Sequence, residues 1–588
     1  MKRIATGLLV SLALALNACQ STPTPGATPT PGADIGSEIG AAINPLPNGQ
    51  PTAQDENLIE AQADGQRLPR FEAAATCPFQ LPAGLTASSV KCGYVIVRES
   101  RTPRNDRTLK VAVLVVKARN GAENPVANIY LQGGPGGEVQ GTILALEGGY
   151  LKTFAGANDF IIFDQRGVGN SQPRLECLAS QDAAARVQAG IARMGGGGRP
   201  STAPADPVLE AQIQQSVTQS LQCRDALRAK GYNLQAFNTF ESAADVNDIR
   251  KALGYKQLNL WGGSYGTYLA QIVMRDYRRA IRSVNLEAII DPRQNWVALA
   301  PAAFDRSRKE VFKACAENPA CAAAFPNLSQ TFDALIAELN TKQPEIDIPV
   351  SATQTIRARV NGDLFFNLLN QLLYIPEFLP NVPIFVSITK AGNYGPFGRF
   401  VGLLFASDGT NSQGAYQSVI CSDVAQFTSP ARINRILDGV TQTYRRQLGA
   451  FPLSQERICR EWGVRADPFA TFPVISDIPT LLQVGFFDPI TPPSYAEGIE
   501  NKLFNSQFVF YPAGAHGATR PSGEAGDQAD CAQGLLTAFY TDTRAEVNAG
   551  CADQPIGFFV PNDAAARAQS VNPFPIPKVL PASLLPRW

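Results

Sequence analysis

The sequence predicts an α/β fold in which a mostly parallel sheet is flanked by helices and a largely helical cap interrupts the sheet domain. Three observations lead to this prediction. Several apolar runs show no polar alternation, which suits strands covered on both faces. Helical patterns follow some of these runs, as in βαβ units. The strand–helix rhythm stops after Asp291, where the cap is expected to begin, and strand patterns return near residue 480.

The first part of the sheet domain is predicted to occupy residues 55–291. β-branched and aromatic residues dominate four short runs in it, and turn residues bound these runs, which is typical of strands. Because the runs lack polar alternation, we expect the strands to be buried on both faces. The four runs are Tyr94–Val97, Leu109–Val116, Asn128–Leu131 and Phe160–Phe163.

A helix, a strand and a second helix are predicted next. The first helix begins at a capping residue, Thr239 or Ser242, and ends before Gly254, a residue type that favours helix C-termini. The strand covers Leu258–Trp261, and the second helix covers Tyr265–Tyr277, where apolar residues share one face. A single sharp turn is left between this strand and this helix.

The cap is predicted to cover residues 292–473, after a strand at Val284–Ile290. Strand patterns return at Thr480–Gly485 and Phe508–Tyr511, so residues 474–588 are expected to complete the sheet domain and to form a C-terminal tail. Within the cap, helical periodicity and proline-rich connections predict four helices. These are Trp296–Cys315, Leu328–Leu339, Asp363–Tyr374 and Ile433–Leu448.

Composition limits the classes of partner. The 588 residues carry 51 Lys and Arg against 51 Asp and Glu, and no basic cluster marks a nucleic-acid-binding face. A metal site is disfavoured, because no CxxC pair occurs and the chain has a single histidine. We therefore expect no nucleic-acid partner, no metal and no cofactor.

The N-terminal segment has the features of an export signal. Residues 1–18 join a short basic start to an apolar run that is too short to span a bilayer. Small residues precede Cys19, as in the bacterial lipobox, where this cysteine is lipidated; an ordinary signal peptide is the alternative. Residues 19–54 are rich in Pro, Thr and Gly and are expected to form an extended tether. We expect an exported protein of the bacterial cell envelope, attached to the membrane by lipid alone.

Cysteine usage agrees with export. The chain has 11 cysteines, and those other than Cys19 fall into nearby pairs, although sequence alone permits many other pairings. Disulfide bridges would fit an oxidising compartment. The simplest pairing joins Cys77 to Cys92, Cys177 to Cys223, Cys315 to Cys321, Cys421 to Cys459 and Cys531 to Cys551.

Ser264 lies in the sharp turn between the predicted strand and helix, within Gly262–Gly266. A G-x-S-x-G sequence in this context is typical of a nucleophile elbow, although the sequence alone occurs often by chance. Small flanking residues allow the strand and the helix to approach each other. The helix N-terminus supplies free N–H groups for a developing oxyanion. Ser264 is therefore the candidate nucleophile rather than only a small turn residue.

A serine nucleophile needs a base, and His516 is the one imidazole in the chain. It follows the last predicted strand, at the edge where catalytic residues collect in open parallel sheets. Asp488 follows the preceding strand and is the candidate acid that orients the imidazole, and its Asp-Pro sequence is also compatible with a plain turn. The chain order serine, aspartate, histidine is that of α/β-hydrolases.

The oxyanion hole needs two N–H donors. Tyr265, the residue after the nucleophile, is expected to supply one of them. The second is expected from the glycine-rich loop Gln132–Gly137, which follows an early strand. A phosphate-binding loop is the alternative for this stretch, but the G-K-[ST] ending of such loops is absent.

These residues together resemble the α/β-hydrolase serine aminopeptidases of the proline iminopeptidase and tripeptidyl aminopeptidase group. The similar stretches span roughly Cys77 to Cys551. The resemblance implies the catalytic residues Ser264, Asp488 and His516, with oxyanion donors at Gly134 and Tyr265. The stretches that carry it are Gly133–Gly136, Asp164–Ser171, Gly262–Gly266, Asp488–Pro492 and Gly514–Gly517.

The resemblance implies a membrane-anchored serine hydrolase that releases residues or short peptides from free peptide N-termini. Binding of the substrate ammonium requires acidic groups, for which Asp423 and Glu461 are candidates because a disulfide could fix both; a solvated cap surface is the alternative. The sequence departs from the family's pattern at Gln132, Glu138 and Glu287. An esterase on the same fold and a non-catalytic binding protein are the rival hypotheses.

Overall fold

The computed structural model describes most of the chain. The described residues are 60–61, 67–118, 125–177, 182–195, 206–406, 412–517 and 526–561. The predicted signal segment, Cys19 and the tether lie outside them. Within the described ranges, no helix is both long enough and apolar enough to cross a membrane.

One sheet of nine strands dominates the described chain. Its strands lie in the order β9-β8-β7-β6-β4-β5-β3-β2-β1. The six strands from β9 to β5 run parallel to one another, and β3, β2 and β1 extend the sheet through antiparallel pairs. The strands are β1 Arg70–Ala73, β2 Val90–Arg98, β3 Thr108–Val116, β4 Val126–Leu131, β5 Asp159–Phe163, β6 Gln257–Gly263, β7 Ile281–Glu287, β8 Thr480–Gly485 and β9 Ser506–Tyr511.

Burial explains why the central strands carry apolar residues at successive positions. In β3, all side chains from Val111 to Val116 are fully buried, and Ile129 in β4 and Ile161 in β5 are equally inaccessible. Such strands are covered by helices on both faces. The predicted fold class, an α/β fold with a mostly parallel sheet, is therefore confirmed.

The helices outside the cap connect the parallel strands, except for the last helix, which follows β9. Helix α4 ends at Gly254, which adopts the left-handed conformation with φ 85° that glycine tolerates well. Its N-cap is Asn238, whose side chain accepts from the Glu241 amide, so the prediction of Thr239 or Ser242 as the cap is wrong. These helices are α1 Gln140–Ala155, α2 Ala183–Met194, α3 Pro207–Ala229, α4 Thr239–Leu253, α5 Tyr265–Asp276, α15 Pro493–Glu500 and α16 Gly526–Thr541.

Between β7 and β8 the chain is mainly helical, with one hairpin of Glu345–Pro349 and Thr355–Arg359. The segment Ile433–Leu448, predicted as one helix, forms parts of two, because α13 ends at Gly439 and a turn precedes α14. The helices here are α6 Trp296–Glu317, α7 Pro319–Ala324, α8 Leu328–Lys342, α9 Gly362–Leu372, α10 Val382–Lys390, α11 Gly395–Ala406, α12 Gln413–Asp423, α13 Pro430–Asp438 and α14 Arg445–Trp462.

All five predicted cysteine pairs are joined as disulfides in the structure. Two of them tie down the region between β7 and β8, where Cys315 is bound to Cys321 and Cys421 to Cys459. The other three join the remaining predicted neighbours, Cys77 to Cys92, Cys177 to Cys223 and Cys531 to Cys551. Each bridge closes a loop and so restricts the unfolded chain.

Candidate active site

Ser264 occupies the turn between β6 and α5. Its backbone has φ 55° and ψ −123°, a conformation that a non-glycine residue adopts only when its surroundings enforce it. The Ser264 amide donates to the Glu287 carbonyl of the neighbouring strand at 2.9 Å. The Ser264 carbonyl accepts from the amide and the hydroxyl of Thr267, at 2.8 and 2.6 Å. These bonds hold the serine in its strained turn.

Close packing explains the glycine that follows this turn. A Cβ on Gly266 would lie 1.9 Å from the carbonyl oxygen of Leu131, the last residue of β4. Any side chain would therefore push α5 away from β4. The absence of a side chain lets the first turn of α5, including the Tyr265 amide, approach the loop that follows β4.

Asp488 follows β8 and is fully buried. One carboxylate oxygen accepts from the backbone amides of Ile490 and Thr491, at 2.9 and 2.8 Å, and the other accepts from the Thr491 hydroxyl at 2.6 Å. These hydrogen bonds fix the orientation of the carboxylate. The turn after Asp488, which was the alternative interpretation of the Asp-Pro sequence, therefore also holds the carboxylate in position.

His516 follows β9, and its Nδ1 lies 2.8 Å from Oδ2 of Asp488. The Thr491 hydroxyl is 3.2 Å from the same nitrogen, and the Tyr374 ring packs edge-on against the imidazole, with 5.0 Å between centroids. His516 is 3% exposed, so its ring is held among these neighbours. Because Nδ1 faces the carboxylate, Nε2 is the nitrogen left for proton transfer.

The sheet order brings the three candidate residues to one edge. Ser264 follows β6, Asp488 follows β8 and His516 follows β9, and only β7 lies between β6 and β8. All four strands are parallel, so their carboxyl ends meet at the same edge. Ser264 therefore lies at the same edge of the sheet as Asp488 and His516, which are more than 200 positions away in sequence.

The predicted oxyanion loop lies directly beside the serine. A Cβ on Gly133 would be 3.0 Å from Cβ of Ser264 and 3.5 Å from its hydroxyl oxygen. Gly134 comes next, with φ 117°, and leads into the turn that ends at Gly137. The two predicted donor positions, Gly134 and Tyr265, thus flank the serine from two different segments. N–H groups in this arrangement can stabilise negative charge on a substrate oxygen.

The segment after β5 fixes this loop, a role that was not predicted from the sequence. The Gln165 side chain donates to the Gln132 carbonyl at 2.8 Å, and the Asp164 carboxylate accepts from the Val139 amide at 2.9 Å. Burial raises the pKa of the Asp164 carboxyl to about 6, although amide donors from Asn170 and Val139 act in the opposite direction. The loop is therefore held at both ends by one short segment.

Arg166 anchors that segment to the core. It is buried and forms a bidentate ion pair with Asp245 of α4, at 2.6 and 2.7 Å. It also donates to the Glu99 and Ala236 carbonyls. A fully paired guanidinium of this kind gives a rigid support.

The two candidates for ammonium binding lie in different environments. Asp423 is buried next to the Cys421–Cys459 bridge, and Glu461 is exposed. Asp423 lines a pocket whose walls include none of the three candidate catalytic residues. The bridge brings the two segments together, and the hydrogen bonds that the described residues give Asp423 come from Thr239 and Ser422 rather than from Ser264.

Comparison with known proteins agrees with this architecture. A family model described as the alpha/beta hydrolase fold matches residues 146–321. The tripeptidyl aminopeptidase of Streptomyces coelicolor is 27% identical over 215 residues, which are 35% of this chain and 36% of that protein. The serine protease Hip1 of Mycobacterium tuberculosis is 29% identical over 139 residues, 23% of this chain and 24% of that protein. The matches thus span about a third or less of these relatives.

Weaker similarity extends to solved structures. An esterase from Exiguobacterium antarcticum is 12% identical, with a TM-score of 0.31, over 74% of this chain and 96% of that one. Together with the sheet topology, the family match identifies the chain as a hydrolase of the α/β-hydrolase superfamily. The sequence matches show that the chain is similar to tripeptidyl aminopeptidases over about a third of its length.

Proposed function

We propose that this chain is a serine peptidase that releases residues or short peptides, of the tripeptidyl or prolyl type, from free peptide N-termini. The observation that carries the proposal is the 2.8 Å contact between His516 Nδ1 and Asp488, at the sheet edge where Ser264 stands in a strained turn. The likeness to tripeptidyl aminopeptidases favours a peptide over other acyl substrates.

In the proposed reaction, Nε2 of His516 takes the proton of the Ser264 hydroxyl while the oxygen attacks the peptide carbonyl. The Asp488 carboxylate stabilises the imidazolium that forms. The amides at Gly134 and Tyr265 hold the oxyanion, and the imidazolium then gives its proton to the leaving amine as the C–N bond breaks. Water, activated by the same imidazole, attacks the acyl-enzyme, releases the N-terminal fragment as an acid and restores Ser264.

A panel of matched substrates tests this function. The purified chain is assayed with tripeptidyl anilides that carry a free amine, with their N-acetylated forms and with simple nitrophenyl esters; Ser264→Ala is the control. We expect kcat/KM for the free-amine peptides to exceed that for the blocked forms by roughly a hundredfold or more, since an ammonium that is bound and paired contributes that much.

The other possible outcomes would support the alternative functions. Equal turnover of free and blocked peptides would exclude an aminopeptidase. Turnover of esters alone would make the chain an esterase. A folded protein that turns over none of these substrates would support the non-catalytic binding protein.

We also propose that the chain is exported and anchored by a lipid on Cys19. The five disulfides support an oxidising compartment. In a bacterium that expresses the full chain, metabolic labelling with a fatty acid should mark the protein and Cys19→Ser should abolish the label. Equal labelling of both forms would contradict the anchor.

A further inference from the structure

A chain of hydrogen bonds between three buried side chains connects the cap to the residue that follows the nucleophile. Asp423 ends α12 of the cap, Thr239 begins α4, and Tyr265 begins α5. The Tyr265 hydroxyl lies 2.7 Å from Oγ1 of Thr239, and the Thr239 hydroxyl donates to Oδ2 of Asp423. Each of the three residues is 2% exposed or less, so these hydrogen bonds are shielded from water.

The carboxylate sets the direction of the hydrogen bonds in this chain. An ionised carboxylate can only accept, so the Thr239 hydroxyl donates to Asp423 and its oxygen accepts from the Tyr265 hydroxyl. Burial raises the pKa of the Asp423 carboxyl to about 6, although the bonds from Thr239 and Ser422 act in the opposite direction, so the ionised form prevails at neutral pH. The Thr239 amide also donates to Oδ2, at 3.0 Å, and the Ser422 hydroxyl donates to Oδ1 at 2.7 Å. The carboxylate is thus held at both oxygens.

The other end of the chain restrains the peptide group that carries the Tyr265 amide. This group is planar, and its carbonyl oxygen, that of Ser264, accepts from the amide and the hydroxyl of Thr267. On the other side of the amide, the Tyr265 side chain has only two torsions between the backbone and the ring, so a fixed hydroxyl also restricts the backbone. The N–H group is therefore held from both sides, as an oxyanion donor must be.

We propose that Asp423 and Thr239 are positioning residues for the oxyanion donor, because they hold the Tyr265 side chain and so fix the direction in which its amide points. The proposal rests on the serine hydrolase function proposed above. It gives Asp423 a role that requires no contact with substrate, unlike the ammonium binding for which the sequence made it a candidate. At this contact the cap supports the sheet edge itself.

Three substitutions interrupt the hydrogen-bond chain at different points. Tyr265→Phe removes the first hydroxyl, Thr239→Val removes the middle one, and Asp423→Ala removes the final acceptor. We expect each to lower kcat about tenfold, the value of one buried hydrogen bond, while KM changes less than about twofold. Nitrophenyl esters and tripeptidyl anilides should lose the same factor, because both substrates form an oxyanion. Thr239→Ser, which retains the hydroxyl, should restore kcat to within about twofold of the parent chain.

Tyr268→Phe is the matched control. Tyr268 lies on the same helix, is similarly buried and donates its hydroxyl to the Ala470 carbonyl at 2.8 Å, so this variant loses one hydrogen bond of the same kind outside the chain. Its kcat should stay within about twofold of the parent value. Combining Tyr265→Phe with Thr239→Val should lower kcat no further than Thr239→Val alone, because both substitutions act through one hydrogen bond. Thermal unfolding verifies that each variant is folded.

Three results would overturn the proposal while the parent chain is active. One is an unchanged kcat in both Thr239→Val and Tyr265→Phe. Another is an equal loss of kcat in Tyr265→Phe and Tyr268→Phe, which would reflect a general loosening of α5. The third is an effect of Asp423→Ala that is confined to KM for free-amine peptides, since Asp423 would then bind substrate. A parent chain that hydrolyses neither esters nor peptides would instead refute the hydrolase function on which the proposal rests.

Discussion

The sheet edge that carries Ser264, Asp488 and His516 holds its polar groups differently from the cap beside it. At the sheet edge, Asp488 accepts from the amides of its own turn, and the Ser264 amide donates to the adjacent strand. In the cap, the hydroxyls of Ser412 and Tyr416 are buried without hydrogen-bond partners among the described residues. Yet this part of the cap touches the oxyanion loop, because the Ser412 amide donates to the Gly136 carbonyl at 2.9 Å.

This difference in hydrogen bonding indicates different roles for the sheet edge and the cap. Groups that are fully paired before substrate arrives are preorganised, as catalysis requires. Buried groups without protein partners cost free energy, and a substrate that pairs with them can offset this cost. We infer that the sheet edge determines the rate of the chemical step and that the cap contributes to substrate binding.

The largest expected effect comes from the base. His516→Gln should lower kcat/KM by about 10⁴- to 10⁶-fold, as loss of a triad member does in serine proteases. Steady-state kinetics measures this, and circular dichroism verifies the fold. The chain has no second histidine to take over. A loss of less than tenfold in a folded variant would show that His516 is not the base.

The oxyanion loop is the next target. In Gly133→Ala, the added Cβ would lie 3.0 Å from Cβ of Ser264 and from the Gly263 carbonyl, so the loop must shift away from the nucleophile. We expect kcat to fall about a hundredfold, the cost of one misplaced oxyanion donor. Gly534→Ala is the matched control, since nothing lies within 4 Å of the added atom. Equal kinetics for the two variants would exclude the loop from catalysis.

Thr491 tests whether the acid is positioned by its own turn. Thr491→Val keeps the shape but removes the hydroxyl that donates to Asp488. The lost hydrogen bond to a buried carboxylate should lower kcat by about ten- to a hundredfold, while KM changes little. Thr491→Ser should restore most of the activity. If the serine variant were as slow as the valine variant, the hydroxyl would not be the cause.

The smallest effect is expected in the cap. Tyr416 packs over the oxyanion loop, where a Cβ on Gly136 would lie 3.3 Å from Cβ of Tyr416. Tyr416→Phe should raise KM for a peptide by about two- to tenfold, the value of one hydrogen bond, with kcat nearly unchanged. Thermal stability should not fall, because the hydroxyl has no partner to lose among the described residues. A fall in kcat with an unchanged KM would show instead that Tyr416 supports the chemical step.

The same contrast explains what the sequence could predict. Ser264, Asp488 and His516 each follow an apolar strand and stand among small or turn-forming residues, so local pattern marks all three. Parallel strands then bring their ends together whatever their separation along the chain. The fold class and the residues at this edge of the sheet could therefore be predicted from a single sequence.

Contacts between distant segments could not be predicted from local sequence pattern. Gln165 acts through a carbonyl in another loop, and Tyr374 packs on His516 from the cap. Gln165 lies in a stretch that carries the family resemblance, but the local pattern reveals neither contact. Polar residues inside strands are a further example. Gln483 in β8 donates to Asn285 in β7 at 2.9 Å, a pair that depends on strand register rather than on periodicity.

The break within the segment Ile433–Leu448, which was predicted as one helix, was also not predicted. Apolar periodicity continues from Ile433 to Leu448, but the chain turns at Gly439 and the Thr441 amide donates to Asp305 of α6. A tertiary contact thus ends one helix and starts another where the pattern alone shows no break.

Phosphonylation of the nucleophile tests the central claim most directly. The purified chain is treated with a fluorophosphonate, and the modified residue is located by peptide mass spectrometry. We predict one adduct, on Ser264, which is absent in Ser264→Ala and at least about a hundredfold slower to form in His516→Gln. An unmodified Ser264 in the folded chain, or an adduct rate that does not change when His516 is replaced, would contradict the proposal that these side chains form one proton-transfer system.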